Sequence, residues 1–144
     1  MINKIKILLV DSDKVNQIYF KDIFWVHGRN KIYDIDFTQS LSEALIKIDN
    51  KKTRPDTIFL DIILEKENND FDRQLNGVVS FIENVKMNKD TADIKIIIFS
   101  DKEEKYIRKK FPDIKIDGYL KKGELMPKEI IDYTDKIHGT NNKN

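Results

Sequence analysis

The chain has 144 residues, with 26 Lys and Arg against 25 Asp and Glu, a formal net charge of +1, and no Cys. At roughly 100–200 residues per domain this is one compact domain, large enough to bury its own core. The charge balance argues against a nucleic-acid or membrane-surface binder, and the missing Cys excludes a disulfide framework, a thiolate metal site and a Cys nucleophile.

Unbroken apolar runs reach four residues, far short of the roughly 20 that cross a bilayer, and no signal-peptide hydrophobic stretch follows Met1. A soluble, cytoplasmic protein is the expectation. Ile5–Val10 reads as a strand buried on both faces. Residues 15–26 follow with Val15, Ile18, Tyr19, Ile23 and Val26 at helical spacing, and Gly28 stands where a helix stops. Residues 33–37 alternate polar and apolar, the mark of a strand near a sheet edge. Ser40-Leu41-Ser42-Glu43 reads as a capping box opening a helix with Leu41, Ala44, Leu45 and Ile48 inward.

Pro55 precedes a third strand, Thr57–Leu60, which ends at Asp61. After a polar stretch, Asn76-Gly77 leads into a helix with Val78, Phe81, Ile82 and Val85 on one face. Residues 94–99 form a fourth strand ending at Ser100, and residues 102–110 a short helix closed by Phe111-Pro112. Residues 114–120 read as a fifth strand interrupted by Asp117-Gly118. Pro127 opens a last helix with Ile130, Ile131, Thr134 and Ile137 inward, and residues 139–144 read as a flexible tail.

This fivefold β-α alternation implies an α/β fold with a parallel sheet covered on both faces. Ligands of such sheets bind beyond the carboxyl ends of the strands. The residues there are Asp11 and Asp13, Asp61, Ser100 and Lys122. Carboxylates are hard ligands suited to Mg²⁺, a hydroxyl and an ammonium hold an anionic phosphoryl group, and a carboxylate can be the nucleophile. That set fits phosphoryl transfer.

Five segments carry a resemblance: Ile7-Leu8-Leu9-Val10-Asp11, Pro55-Asp56-Thr57-Ile58-Phe59-Leu60-Asp61, Asn76-Gly77, Ile96-Ile97-Ile98-Phe99-Ser100 and Gly118-Tyr119-Leu120-Lys121-Lys122. In that order the chain resembles a receiver domain of the two-component response-regulator family over residues 1–138. The resemblance implies a doubly wound (βα)5 flavodoxin-like three-layer sandwich with a five-stranded parallel sheet in the order 2-1-3-4-5. It implies Asp61 as phosphoacceptor and Mg²⁺ held by Asp11, Asp61 and the backbone carbonyl of Ile63. It further implies Ser100 as switch hydroxyl, Lys122 as phosphoryl partner and Tyr119 as switch aromatic. The donor would be a sensor histidine kinase or phosphotransfer protein, and output would pass to a further protein partner, with no direct nucleic-acid or membrane contact.

Four features depart from the family pattern. Ser12 replaces the second of two adjacent acids, so Asp13 either turns inward as a metal ligand or serves only as a helix cap. Asp61 and Gly77 stand 16 positions apart (77 − 61), about twice the usual separation, implying an enlarged loop over residues 65–76. Asp101 follows Ser100 where a small residue is usual. Gly123 replaces a proline after Lys122. Two other functions compete: a haloacid-dehalogenase-like phosphatase, in which Asp11 is the nucleophile and Asp13 the general acid, and a degenerate receiver acting as a phosphorylation-independent interaction module.

Overall fold

Strands β1 (Ile5–Val10), β2 (Tyr33–Thr38), β3 (Thr57–Leu60), β4 (Lys95–Ser100) and β5 (Gly118–Lys121) are all parallel and lie in the order β2-β1-β3-β4-β5. Helices α1 (Lys14–Val26), α2 (Leu41–Asp49), α3 (Phe71–Met87), α4 (Glu104–Lys110) and α5 (Pro127–His138) connect and complete them, with a 3-10 turn at Arg29–Lys31. The computed structural model describes residues 3–65, 67 and 69–140. The doubly wound, three-layer sandwich is therefore as expected.

The near-continuous apolar strands supply two cores at once, because successive side chains point to opposite faces. Leu8, Val10, Ile58, Leu60, Ile96 and Ile98 pack with Ala44, Ile48, Val78, Phe81, Ile82, Val85 and Ile107 under α2, α3 and α4. Ile7, Leu9, Phe59 and Ile97 pack on the other face with Phe20, Ile23, Phe24, Ile130 and Ile131 of α1 and α5. Burying one such side chain contributes roughly 1.5–3 kcal/mol.

Three elements differ from the sequence reading. In α1 only Ile23 of the expected inward set is buried; Val15, Ile18, Tyr19 and Val26 are exposed, and Gln17, Phe20, Ile23 and Phe24 face the sheet. The helix carries two apolar stripes, and the aromatic one won the core. Helix α3 begins at Phe71 rather than at Asn76-Gly77, with Asp70 capping it through a bond from the Arg73 amide (3.1 Å). The enlarged loop is thus partly helix: residues 71–76 are the first turns of α3, while Lys66 and Asn68 of that stretch lie outside the described residues. Strand β5 starts only at Gly118, because Asp117 spends its carboxylate on the Ile96 amide (2.8 Å) and the Lys86 ammonium (2.8 Å).

Gly118 itself permits a close approach: a Cβ there would overlap the Tyr133 hydroxyl. Gly139 caps α5, and Thr140, expected in the loose tail, is tied down: its carbonyl accepts from Arg29 (2.8 Å) and its amide donates to the Asp135 carbonyl (2.9 Å). The remainder of the expected tail, residues 141–144, lies outside the described residues.

Candidate functional site

Parallel pairing carries the backbone ladder one residue past the strands and so fixes the site. The Asp11 amide donates to the Thr38 carbonyl (3.0 Å), the Asp61 amide to Val10 (3.0 Å) and the Lys122 amide to Ser100 (2.8 Å). Asp11, Asp61, Ser100 and Lys122 are thereby held on one edge of the sheet, as the alternation of elements implied. Register pairs Leu60 with Val10 and with Ile98, so the two acids stand on neighbouring strands at the centre of the sheet.

Lys122 joins them. Its ammonium donates to Asp11 Oδ2 (2.6 Å) and to Asp61 Oδ2 (3.0 Å). Asp11 is fully buried and Asp61 is 5% exposed. Burial pushes the Asp61 carboxyl above its ordinary range; Lys122 opposes that shift, Asp11 adds to it, and burial prevails. For Lys122 the balance is reversed: burial disfavours the ammonium, but Asp61 and Asp11 outweigh it and raise its pKa. Two carboxylates sharing one ammonium carry a net charge of −1 in a half-closed niche, which suits a divalent cation and an anionic phosphoryl group together.

The other Asp11 oxygen accepts the Asp13 amide (2.9 Å), and the Asp11 carbonyl accepts the buried Gln17 side chain (2.7 Å). The Asp13 carboxylate accepts the Val15 amide (2.9 Å) and so caps α1. Ser12 contributes a buried hydroxyl oxygen without a hydrogen-bond partner. Such an unpartnered buried hydroxyl is unusual in folded proteins. Among the described residues no three Asp, Glu or His side chains cluster as a ready metal cage. An ion here would be held by Asp11, Asp61 and backbone carbonyls, with water completing the shell.

After Asp61 the chain turns so that the Ile63 amide donates back to Asp61 Oδ1 (3.3 Å). Ser100 is fully buried, and its hydroxyl accepts the Lys102 amide (3.2 Å). Tyr119 is half-buried and donates its hydroxyl to the Lys102 carbonyl; burial pushes its phenol up to about 12. Gly123 follows Lys122 with φ +83, a conformation that L side chains rarely adopt. The described residues contain no cis peptide bond, so the turn after Lys122 is made by that glycine rather than by an isomerised proline.

Two features escaped the sequence reading. Gln17 looks like an exposed helix residue in sequence, yet it is buried on the Asp11 backbone. Gln74 accepts the Leu64 and Glu65 amides (3.1 and 3.0 Å) and donates to the Glu65 carbonyl (3.0 Å), stitching the segment after Asp61 to α3. Gln17 had no sequence signal beyond its helical position, and Gln74 fell within the expected loop. The basic group Lys105, Arg108, Lys109 and Lys110 is the exposed face of α4, with Arg108 paired to Glu104 (2.7 Å). A cleft of about 500 Å³ between α3 and the α4–β5 connection lies toward the other end of the sheet, away from these acids. No helix among the described residues is long and apolar enough to cross a membrane.

No family model and no curated protein matches the chain in sequence. Solved structures do match in shape. The receiver domain of a sensor histidine kinase from Pseudomonas aeruginosa, with a magnesium ion in its active-site cleft, aligns at a TM-score of 0.71 and 18% identity over 95% of this chain and 99% of that one. The chemotaxis response regulator CheY4 of Vibrio cholerae aligns at 0.70 and 16% identity over 94% and 99%. A signal receiver domain of a histidine kinase from Syntrophus aciditrophicus aligns at 0.71 and 15% identity over 96% and 93%.

Proposed function

The chain has the receiver-domain fold, and we propose that it works as a phosphorylation-controlled signalling switch. The observation that carries this reading is Asp61, buried at the carboxyl edge of β3 and sharing the Lys122 ammonium with Asp11. A carboxylate kept there against its desolvation cost serves chemistry better than stability.

An Asp61 oxygen attacks the phosphorus of a phosphohistidine on a sensor kinase or phosphotransfer protein. The P–O bond forms, the P–N bond breaks, and the electron pair returns to the donor imidazole. Lys122, already 3.0 Å from Asp61, needs little movement to pair with a phosphoryl oxygen. Ser100 supplies a hydroxyl to another. Asp11, Asp61 and the Ile63 carbonyl would hold Mg²⁺, while Asp13, whose carboxylate caps α1, would add charge rather than a direct ligand. When bound, the cation would neutralise charge on the phosphoryl oxygens. Output follows from moving Ser100 and Tyr119, which biases the neighbouring surface toward a downstream protein. The solvent face of α1, where Val15, Ile18 and Tyr19 are each more than half exposed, gives the donor an apolar landing beside the site.

Incubation with Mg²⁺ and acetyl phosphate, followed by peptide mass spectrometry, tests this. Phosphate on the Asp61 peptide, absent in Asp61→Asn, is expected. Modification at Asp11 would instead establish the phosphatase chemistry, and no modification anywhere would leave an interaction module without phosphorylation.

A further inference from the structure

The early start of α3 brings its first turns against both chain segments that leave the sheet beside Asp61. On one side Gln74 holds Leu64 and Glu65 through three hydrogen bonds, and Arg73 pairs with Glu65 (3.2 Å). On the other side the same turns meet the β4–α4 turn, through Lys102, and α4 itself, through Tyr106 and Lys110. The Lys102 ammonium stands 5.4 Å over the Phe71 ring, Phe71 packs on Tyr106 with centroids 5.4 Å apart, and Asp72 pairs with Lys110.

Lys102 is the residue that matters in this contact. Its amide is the donor to the Ser100 hydroxyl and its carbonyl the acceptor of the Tyr119 hydroxyl. Turning either side chain toward Asp61 breaks a bond to the Lys102 backbone. The side chain of that same residue is seated on Phe71, and Phe71 is anchored because Gln74 and the buried Leu75 fix its helix. Sequence position alone would leave Phe71 and Lys102 unrelated; the added helical turns put them together.

We propose that Phe71 and Lys102 form a latch that holds the β4–α4 turn in its resting position and so sets how readily Ser100 and Tyr119 move. This rests on the reading of Asp61 as phosphoacceptor. A cation over an aromatic face and a packed ring pair at a partly exposed site are each modest, so releasing the latch favours the moved state by roughly five- to tenfold.

The test uses the full chain with Mg²⁺ and beryllofluoride as a phosphoryl mimic, read by the NMR shifts of the Ser100, Lys102 and Tyr119 amides. Phe71→Leu keeps an apolar side chain at the position, and Lys102→Ala lies on the surface, so both fold. Each is expected to lower the beryllofluoride concentration for half-conversion roughly five- to tenfold, with the double variant no further shifted than the stronger single one. Hydrogen exchange of the Lys102 amide in Phe71→Leu, measured without beryllofluoride, is expected to quicken by a similar factor. Unchanged exchange together with unchanged half-conversion overturns the latch, as does a double variant equal to the product of the singles. A wild-type chain that ignores beryllofluoride, as Asp61→Asn should, overturns the phosphoacceptor reading, while the exchange measurement still judges the contact alone.

Discussion

Replacing Asp61 by Asn should make the protein more stable at neutral pH while abolishing phosphorylation. At 3.0 Å and an effective dielectric constant of about 20, Lys122 attracts the Asp61 carboxylate by about 5.5 kcal/mol. Asp11 repels it: both acids touch one ammonium, so their oxygens are at most 5.6 Å apart (2.6 plus 3.0 Å), and the repulsion is about 3 kcal/mol or more on the same scale. The net attraction is then at most about 2.5 kcal/mol, whereas desolvating a carboxylate costs several. The upward shift of the Asp61 pKa gives the same sign. Removing the charge should stabilise by about 1–2 kcal/mol, raising the melting temperature by about 3–8 °C for a domain of this size.

The pH dependence follows from the direction of that shift. The folded protein holds its Asp61 proton more tightly than the unfolded chain, whose ordinary value is 3.8. The destabilisation by Asp61 is therefore complete above the folded pKa and disappears below the unfolded one. Melting curves of the wild type and Asp61→Asn should differ at pH 7 and converge near pH 3.5. A variant less stable than the wild type at pH 7, or a difference that does not shrink on acidification, would show that Lys122 outweighs desolvation.

Two further substitutions probe the frame. Gly118→Ala puts a methyl group into the Tyr133 hydroxyl and should lower stability by about 1–3 kcal/mol in urea titrations; adding Tyr133→Phe should restore most of it, and no restoration would mean that Tyr133 is not the obstacle. Arg29→Met removes the cationic partner of the buried Asp135 and a donor to the Thr140 carbonyl, costing about 3 kcal/mol. That cluster is at the opposite edge of the sheet from Asp61, so acetyl phosphate labelling of a still-folded variant should be unchanged.

How much could be read in advance depended on whether one physical signal acted alone. The strands of the central sheet were plain because burial on both faces forces unbroken apolar runs, and each run ended at a residue of the site: Asp11, Asp61, Ser100. The inward face of α1 was misread because apolar residues lie on opposite sides of it, so periodicity had no unique solution. The start of α3 was missed because Asn76-Gly77 reads as an entry into a helix, whereas Asp70 capping the Arg73 amide becomes visible only in three dimensions. The true start of β5 depended on Asp117 binding the Ile96 amide, a contact between residues far apart in sequence. Long-range polar bonds, including those of Gln17 and Gln74, leave no periodic trace.

Helix α1 raises a question of phase. A helix that could bury either Phe20, Ile23 and Phe24 or Val15, Ile18 and Trp25 has two competing ways to roll onto the sheet, about half a turn apart. Apolar area alone separates these orientations weakly, so fixed polar pins have to break the tie. Those pins are the Asp13 cap and the Gln17 and Asn16 side chains, and the last two bond to Asp11. The residue assigned to the site is thus also the index mark from which the first helix takes its rotation: a change of its side chain would remove the Asn16 pin along with the chemistry, while its backbone carbonyl keeps Gln17.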